Sequence, residues 1–342
     1  MKKEHYGAID GLRTIACIGI VLMHMAANNS YSISGFIYDS MIPSFTNFVF
    51  LFMTVSAFGM CCGYYERIIN NKIAFSDFYG KRFKKILPFF GVLVLLDIAM
   101  SPSIGALYEA FADLTLLFGF LPGAGNITVI GVGWFLGLIF VFYICFPFFC
   151  ILLQSKRRAW MAFAISLIYN FVCTVYFVAD RTNILYSGCY FLAGGLIYLY
   201  RNELMKLNRW IGLGVAAVSV VLYYILGGNT AGCLLISICW LSYTIICAGG
   251  DTARKSYLLE NRITKFVSGI SMEIYLSHMV IFRVVEKLSL NRVIGNGWIQ
   301  YIFTVVIVLL GTALFAAVMQ KLIGLAEKKF IGMRIRKMPA GE

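Results

Sequence analysis

Three ionisable side chains, Asp10, Arg13 and His24, fall inside Ala8–Asn28, a stretch that is otherwise apolar and long enough to cross a bilayer. A charged group at membrane depth costs roughly 2.5–3.5 kcal/mol on insertion scales, so such groups are kept for function and turned toward protein. Arg13 and His24 are eleven residues apart. That is close to three helical turns, which puts them on one face about 16 Å apart along the axis. With Asp10, Cys17 and Asn28 they form a polar stripe on a greasy helix. An imidazole titrates near neutral pH and can take a proton from a hydroxyl. A guanidinium holds anions. The i to i+3 spacing of Asp10 and Arg13 predicts that they pair, lowering the cost of burying both.

A second histidine stands in SGISMEIYLSHMVIF, where Ser271, Tyr275 and His278 fall at i, i+4 and i+7 on one helical face, with Glu273 on another side. By depth, His24 and His278 can meet in the outer half of the membrane. A third group is the basic run KRFKKILP, Lys81–Pro88. Such runs most often anchor a chain to anionic lipid at the inner surface. Arg82 and Lys85, three apart, also share a helix face and would suit a phosphate group. In Gly131–Pro147, an aromatic-rich segment, the Trp134 N–H wants a partner when buried. Phe50–Gly63 carries small residues that permit close helix contact. The ten cysteines lie mostly inside apolar runs without a CxxC pair, so free thiols are expected. No Cys/His cluster has metal-ligand spacing, and no metal is expected.

The elements that must position these groups are membrane helices. The chain is 60% hydrophobic and 13% charged, against about 25% charged in soluble domains. Its net charge of +13 comes from basic residues at the ends of apolar segments, as the positive-inside rule dictates, and not from a nucleic-acid-binding face. The predicted crossings are Ala8–Ala27, Ser44–Tyr65, Ile86–Met100, Val129–Gln154, Ala159–Ala179, Ile184–Tyr200, Trp210–Leu226, Ala231–Gly249, Phe266–Val285 and Trp298–Gln320. Glu66–Lys85 is expected to be a cytoplasmic loop. Ala106–Leu121, bearing Glu109 and Asp113, is expected to be a re-entrant or interfacial helix on the outer side. Asp10 and Arg13 break the pattern of a cleavable leader, so the first segment is expected to remain. The fold class is thus all-α: a polytopic membrane bundle of about ten transmembrane helices. Both termini are cytoplasmic. Residues 1–342 form one domain that ends in a basic tail, 321–342.

These pieces, in this order, resemble the acyltransferase-3 family of integral membrane acyltransferases. Asp10, Leu12, Arg13 and His24 match its ID-x-LR-x-x-A start and Arg-x10-His motif. Val55–Met60 looks like its SGF segment, and Arg82–Pro88 like its RxxR-I-x-P loop, with Lys85 in place of the second Arg. Trp134–Pro147 resembles its W-x-L…F-Y-x-x-F-P span. Ser271–His278 resembles its S-Y-x-I-Y-L-x-H segment, with Met272 replacing the aromatic. One departure is Ile139, where many members carry an acidic residue. The WFLGLIF pattern is similar to a branch that includes intercellular-adhesin proteins and the membrane modules of serine racemases.

The resemblance implies transfer of an acetyl or related acyl group from cytoplasmic acetyl-CoA to a hydroxyl of a cell-surface glycan or lipid-linked acceptor, in the plasma membrane of a bacterium. Under it, Arg82 and Lys85 would hold coenzyme A phosphates, with Arg13 just inside the channel. His24 would be the general base, or carry the acyl group. His278 or Tyr275 would orient the base or the carbonyl, with Asp10, Trp134 and Ser271 in support. Membrane lipid surrounds the chain, and oligomeric state leaves no trace in the sequence. Read without the resemblance, the same polar stripe also suits a transporter or flippase of glycan, lipid or amino acid, or a non-catalytic membrane module.

Overall fold

The computed structural model describes residues 6–121, 131–249, 256 and 258–336. Lys2, Lys3, Pro122, Gly123, Gly125, Arg254, Lys255 and the last residues of the basic tail lie outside them. Among the described residues the chain is helical, with no strand. Helix α1 runs Ala8–Ala27. A continuous helical run, α2, covers Ile37–Ile69, with π-type turns near both ends. Then follow α3 (Phe75–Met100), α4 (Ile104–Thr115), α5 (Trp134–Leu153), α6 (Lys156–Val175), α7 (Ile184–Leu199), α8 (Arg209–Ile225) and α9 (Thr230–Ala248). The last three are α10 (Arg262–Gly269), α11 (Ser271–Lys287) and α12 (Gly297–Arg336).

Six of these helices, α1, α2, α5, α6, α9 and α12, are long and apolar enough to cross a membrane, and α7 and α8 are shorter apolar helices. The protein is therefore a multi-pass membrane protein. Two expected boundaries change. The basic run expected in a loop lies on helix, because α3 begins at Phe75 and includes Lys81, Arg82, Lys84 and Lys85. The expected crossing Phe266–Val285 is broken: α10 stops at Gly269, and Ile270 leaves helical geometry at φ −117° and ψ 15° before α11 begins. Ser-Gly is a weak helix sequence. The break is satisfied locally, since the Ser271 hydroxyl donates to the Ser268 carbonyl at 2.9 Å.

Helix α1 sits at the centre, touching α2, α9, α10, α11 and α12. Its Leu12, Ala16 and Ile20 join the larger apolar cluster with α2 and α5 residues, while Cys17, Val21 and Met25 join a smaller one with Phe282, Tyr301 and Val305. Polar bonds fix its register. Thr14 donates to the Thr264 carbonyl at 3.0 Å, Cys17 to the Ser271 carbonyl at 3.6 Å, and Tyr301 to the Leu22 carbonyl at 2.9 Å.

Helix α2 meets α7 through backbone. A Cβ at Gly194 would overlap the Thr54 carbonyl and stand 2.8 Å from Ala57 Cβ, which is the close approach expected of the small residues in Phe50–Gly63. A similar contact joins α5 to the short turn Phe118–Phe120. There a Cβ at Gly119 would stand 2.5 Å from the Gly137 carbonyl, and one at Gly137 would overlap the Phe118 ring. Pro147, inside α5, disrupts the ladder of the preceding turn. The Tyr79 hydroxyl donates to the Ile144 carbonyl at 2.7 Å and so ties α3 to α5 there. All ten cysteines are free thiols, as expected.

Candidate functional site: a cationic cavity below a histidine pair

The basic helix α3 is fixed against α2 by its own arginine. Arg82 donates to the Tyr64 hydroxyl at 2.6 Å and to Met60 Sδ at 3.5 Å, with its guanidinium 4.8 Å from the Tyr64 ring centroid. Its Nε is buried without a partner. Lys85 lies one turn further along. Facing them from α1 is Arg13, half-buried, whose guanidinium makes no hydrogen bond among the described residues. The three cations line one cavity of about 150 Å³. Ser56 and Tyr143, which bond each other at 2.8 Å, contribute hydroxyls to its wall.

The broken α10–α11 segment forms the opposite wall, through Ser268, Gly269, Ser271, Met272, Glu273 and Tyr275. The start of α11 has no side-chain cap, so its first amides add to the positive character of this wall. Glu273 lines the cavity too, and its carboxylate accepts from Gln320 on α12 at 2.7 Å. With three cations and this one carboxylate, the lining residues carry net positive charge. Ile139, at the position where many members of the resembled family are acidic, is buried on the same wall.

Asp10 also departs from the expected pairing. It accepts from the Ser268 hydroxyl at 2.7 Å, while the ion pairs among the described residues are Lys156–Glu203 and Arg283–Asp97. Asp10 thus ties α1 to the break in α10–α11 and leaves the Arg13 guanidinium to the cavity.

Tyr275 lines the same cavity as Lys85. Its hydroxyl donates to the Val132 carbonyl at 2.8 Å and its ring packs edge-on to Phe135. One turn on, His278 is fully buried, 6.1 Å from Tyr275 between ring centroids and 4.9 Å from His24. Arg13 lines the cavity, and His24 stands at the histidine pair. His278 Nδ1 lies 2.7 Å from the Tyr275 carbonyl, which can only accept, so Nδ1 carries the proton. His278 Nε2 is then a bare lone pair, buried and without a partner. Trp134 does not line the cavity. It begins α5 beside Phe135, with the Arg181 guanidinium 5.1 Å from its ring centroid.

Sequence reasoning did not find Glu273 as a wall of the site, or the Ser56–Tyr143 pair. Arg181 did carry a signal: counted from a cytoplasmic N-terminus, the loop between the predicted crossings Ala159–Ala179 and Ile184–Tyr200 lies outside, where basic residues are few.

An apolar multi-helix bundle enclosing a cation-lined cavity and an imidazole pair, one half-buried and one fully buried, defines a membrane protein equipped for an anionic ligand and a proton transfer. The acyltransferase domain named Acyl_transf_3 matches residues 6–317. The chain therefore belongs to the acyltransferase-3 family and is a membrane acyltransferase. No curated protein and no solved structure matches it.

Proposed function

We propose that the protein moves an acetyl group from acetyl-CoA, bound from the cytoplasmic side, to a hydroxyl of a surface glycan or lipid-linked acceptor in a bacterial plasma membrane. One observation carries this reading. Arg13, Arg82 and Lys85 line a cavity together with Tyr275, whose ring is 6.1 Å from that of His278, itself 4.9 Å from that of His24. Phosphates favour paired cations, and a guanidinium without a hydrogen-bond partner is a ready anion site. Arg82 and Lys85 hold the nucleotide phosphates, and Arg13 guides the thioester end inward.

His24 is the general base. It takes the proton of the acceptor hydroxyl as the oxygen attacks the thioester carbonyl. The tetrahedral adduct collapses with cleavage of the C–S bond, and the coenzyme A thiolate leaves and recovers the proton from His24. The His278 lone pair is close enough that a small rotation of the His24 ring brings an N–H onto it, fixing the base in one tautomer. Tyr275, whose hydroxyl is occupied by Val132, positions His278 and does not donate to the carbonyl. Asp10, Ser271 and Trp134 hold the walls in place.

The test uses purified protein with acetyl-CoA. Acetyl-CoA raises the unfolding temperature of the native chain and not that of Arg82→Ala. Substrate movement across vesicles without acetyl consumption would instead make the chain a carrier.

A further inference from the structure

The loop between α6 and α7 holds a cation that the reaction above does not use. Arg181 is half-buried. Its Nη1 donates to Thr46 Oγ1 of α2 at 2.5 Å, and its guanidinium lies 5.1 Å from the Trp134 ring centroid. The Ser187 hydroxyl donates to its backbone carbonyl at 2.9 Å, so the loop is tied to α7 as well. The adjacent carboxylate is engaged elsewhere, since Asp180 Oδ1 accepts from the Thr182 amide at 2.9 Å and the Thr182 hydroxyl at 2.5 Å. No carboxylate among the described residues reaches ion-pair distance of Arg181, whereas Arg283 has Asp97 at 2.8 Å.

Its position gives this cation a direction. Trp134 stacks edge-on to Phe135, Phe135 to Tyr275, and Tyr275 neighbours His278, in ring-to-ring steps of 5.9, 5.8 and 6.1 Å. Arg181 therefore stands at the histidine end of the bundle, apart from the Arg82–Lys85 cavity. A guanidinium held by an aromatic face and one hydroxyl keeps most of its five donors open, in the fixed fork that matches a carboxylate or phosphate.

We infer that Arg181 binds an anionic group on the acceptor, a carboxylate or a phosphate, and thereby presents a neighbouring hydroxyl to the histidine pair. This rests on the acetyl transfer proposed above and assigns its acceptor to the acidic class. A neutral polyol lacks the group that the fork recognises.

Two matched pairs of small probes test the assignment: glycerol with glycerol 3-phosphate, and methyl glucoside with methyl glucuronoside. Each is offered to the purified chain with acetyl-CoA, and thermal stabilisation by each probe alone is measured beside transfer. At least one anionic probe is expected to show a KM about tenfold below its neutral partner, a difference within reach of one charge-assisted contact. Which pair shows it separates phosphate from carboxylate. Arg181→Gln should close the gap by raising the KM of the anionic probe, and Arg181→Lys should restore part of it. Unchanged stabilisation of Arg181→Gln by acetyl-CoA shows an intact fold, and probe stabilisation that survives Arg82→Ala places the anion away from the donor cavity.

Equal KM values for charged and neutral probes in the native chain overturn the inference. So does a fall in kcat for both members of a pair in Arg181→Gln, which would make Arg181 a general electrostatic element. If anionic probes stabilise through Arg181 and no probe is acetylated, the anion site stands and acetyl transfer to a hydroxyl falls.

Discussion

The rings of His24 and His278 lie 4.9 Å apart, although they come from the first helix and the next-to-last. The backbone carbonyl of Tyr275 fixes the proton of His278 on Nδ1 and aims a lone pair into a space shared only with protein. One imidazole is thus locked, while the other makes no side-chain hydrogen bond among the described residues. That asymmetry separates a positioning histidine from a working one.

Replacing His24 by alanine is expected to lower acetyl transfer by about 10²–10⁴-fold, the usual worth of a positioned base. The same variant should keep its thermal response to acetyl-CoA. His278→Gln should cost less, because the base remains and only its orientation is loosened. Full transfer in His24→Ala would remove it from the role of base.

Donor affinity should follow the cavity charge. Arg13→Gln and Lys85→Ala are expected to weaken stabilisation by acetyl-CoA, and raised ionic strength should weaken it further at the exposed Lys85 than at the half-buried Arg13. Glu273→Gln removes the one carboxylate of the lining and should tighten acetyl-CoA binding by about threefold or more, given its place beside the cations. Titration by thermal shift or calorimetry reads all three.

Asp113, on the non-spanning helix α4, is fully buried and neither carboxylate oxygen has a partner. Burial, reinforced by Glu109 and Asp97, lifts its carboxyl from the ordinary value to about 7. The folded chain then holds a proton over a range where the unfolded chain has released it. The stability this contributes is complete below the ordinary aspartate range and is lost as pH rises through about 7. Asp113→Asn, neutral at every pH, should therefore unfold at a higher temperature than the native chain at about pH 8 and match it closely at about pH 4.

Gly194→Ala should destabilise the bundle by about 1–3 kcal/mol, the common cost of overpacking. The new methyl meets the Thr54 carbonyl and Ala57 Cβ of α2, neither of which can swing aside. Gly214→Ala, with open space at its Cβ, is the control that should leave the unfolding temperature near its native value.

Much of this arrangement could be read from residue types and spacing, and the reason is the membrane. Lipid makes each internal charge expensive, so Arg13, His24 and His278 stood out before any contact was known. Their depth in the membrane was enough to bring the histidines together. Hydropathy, however, reports length and not continuity. It ran straight through Ile270, where a weak Ser-Gly pair lets the chain leave the helix. Asp10 was misassigned for a different reason. The i to i+3 rule weighs neighbours on one helix, and Asp10 had a better partner in Ser268, far away in sequence. Arg181 could be noticed as a cation in an outer loop, but only folding set it on Trp134.

Where Gly119 meets Gly137, two stretches of main chain touch with no side chain between them. Side chains normally act as bearings, since their rotamers let neighbouring segments slide past one another. Here main chain meets main chain and the Phe118 ring is seated on Gly137, so the turn at 118–120 and the start of α5, with Trp134 and Phe135, must travel together as one rigid lever. Any motion that admits a substrate to the histidines has to carry both.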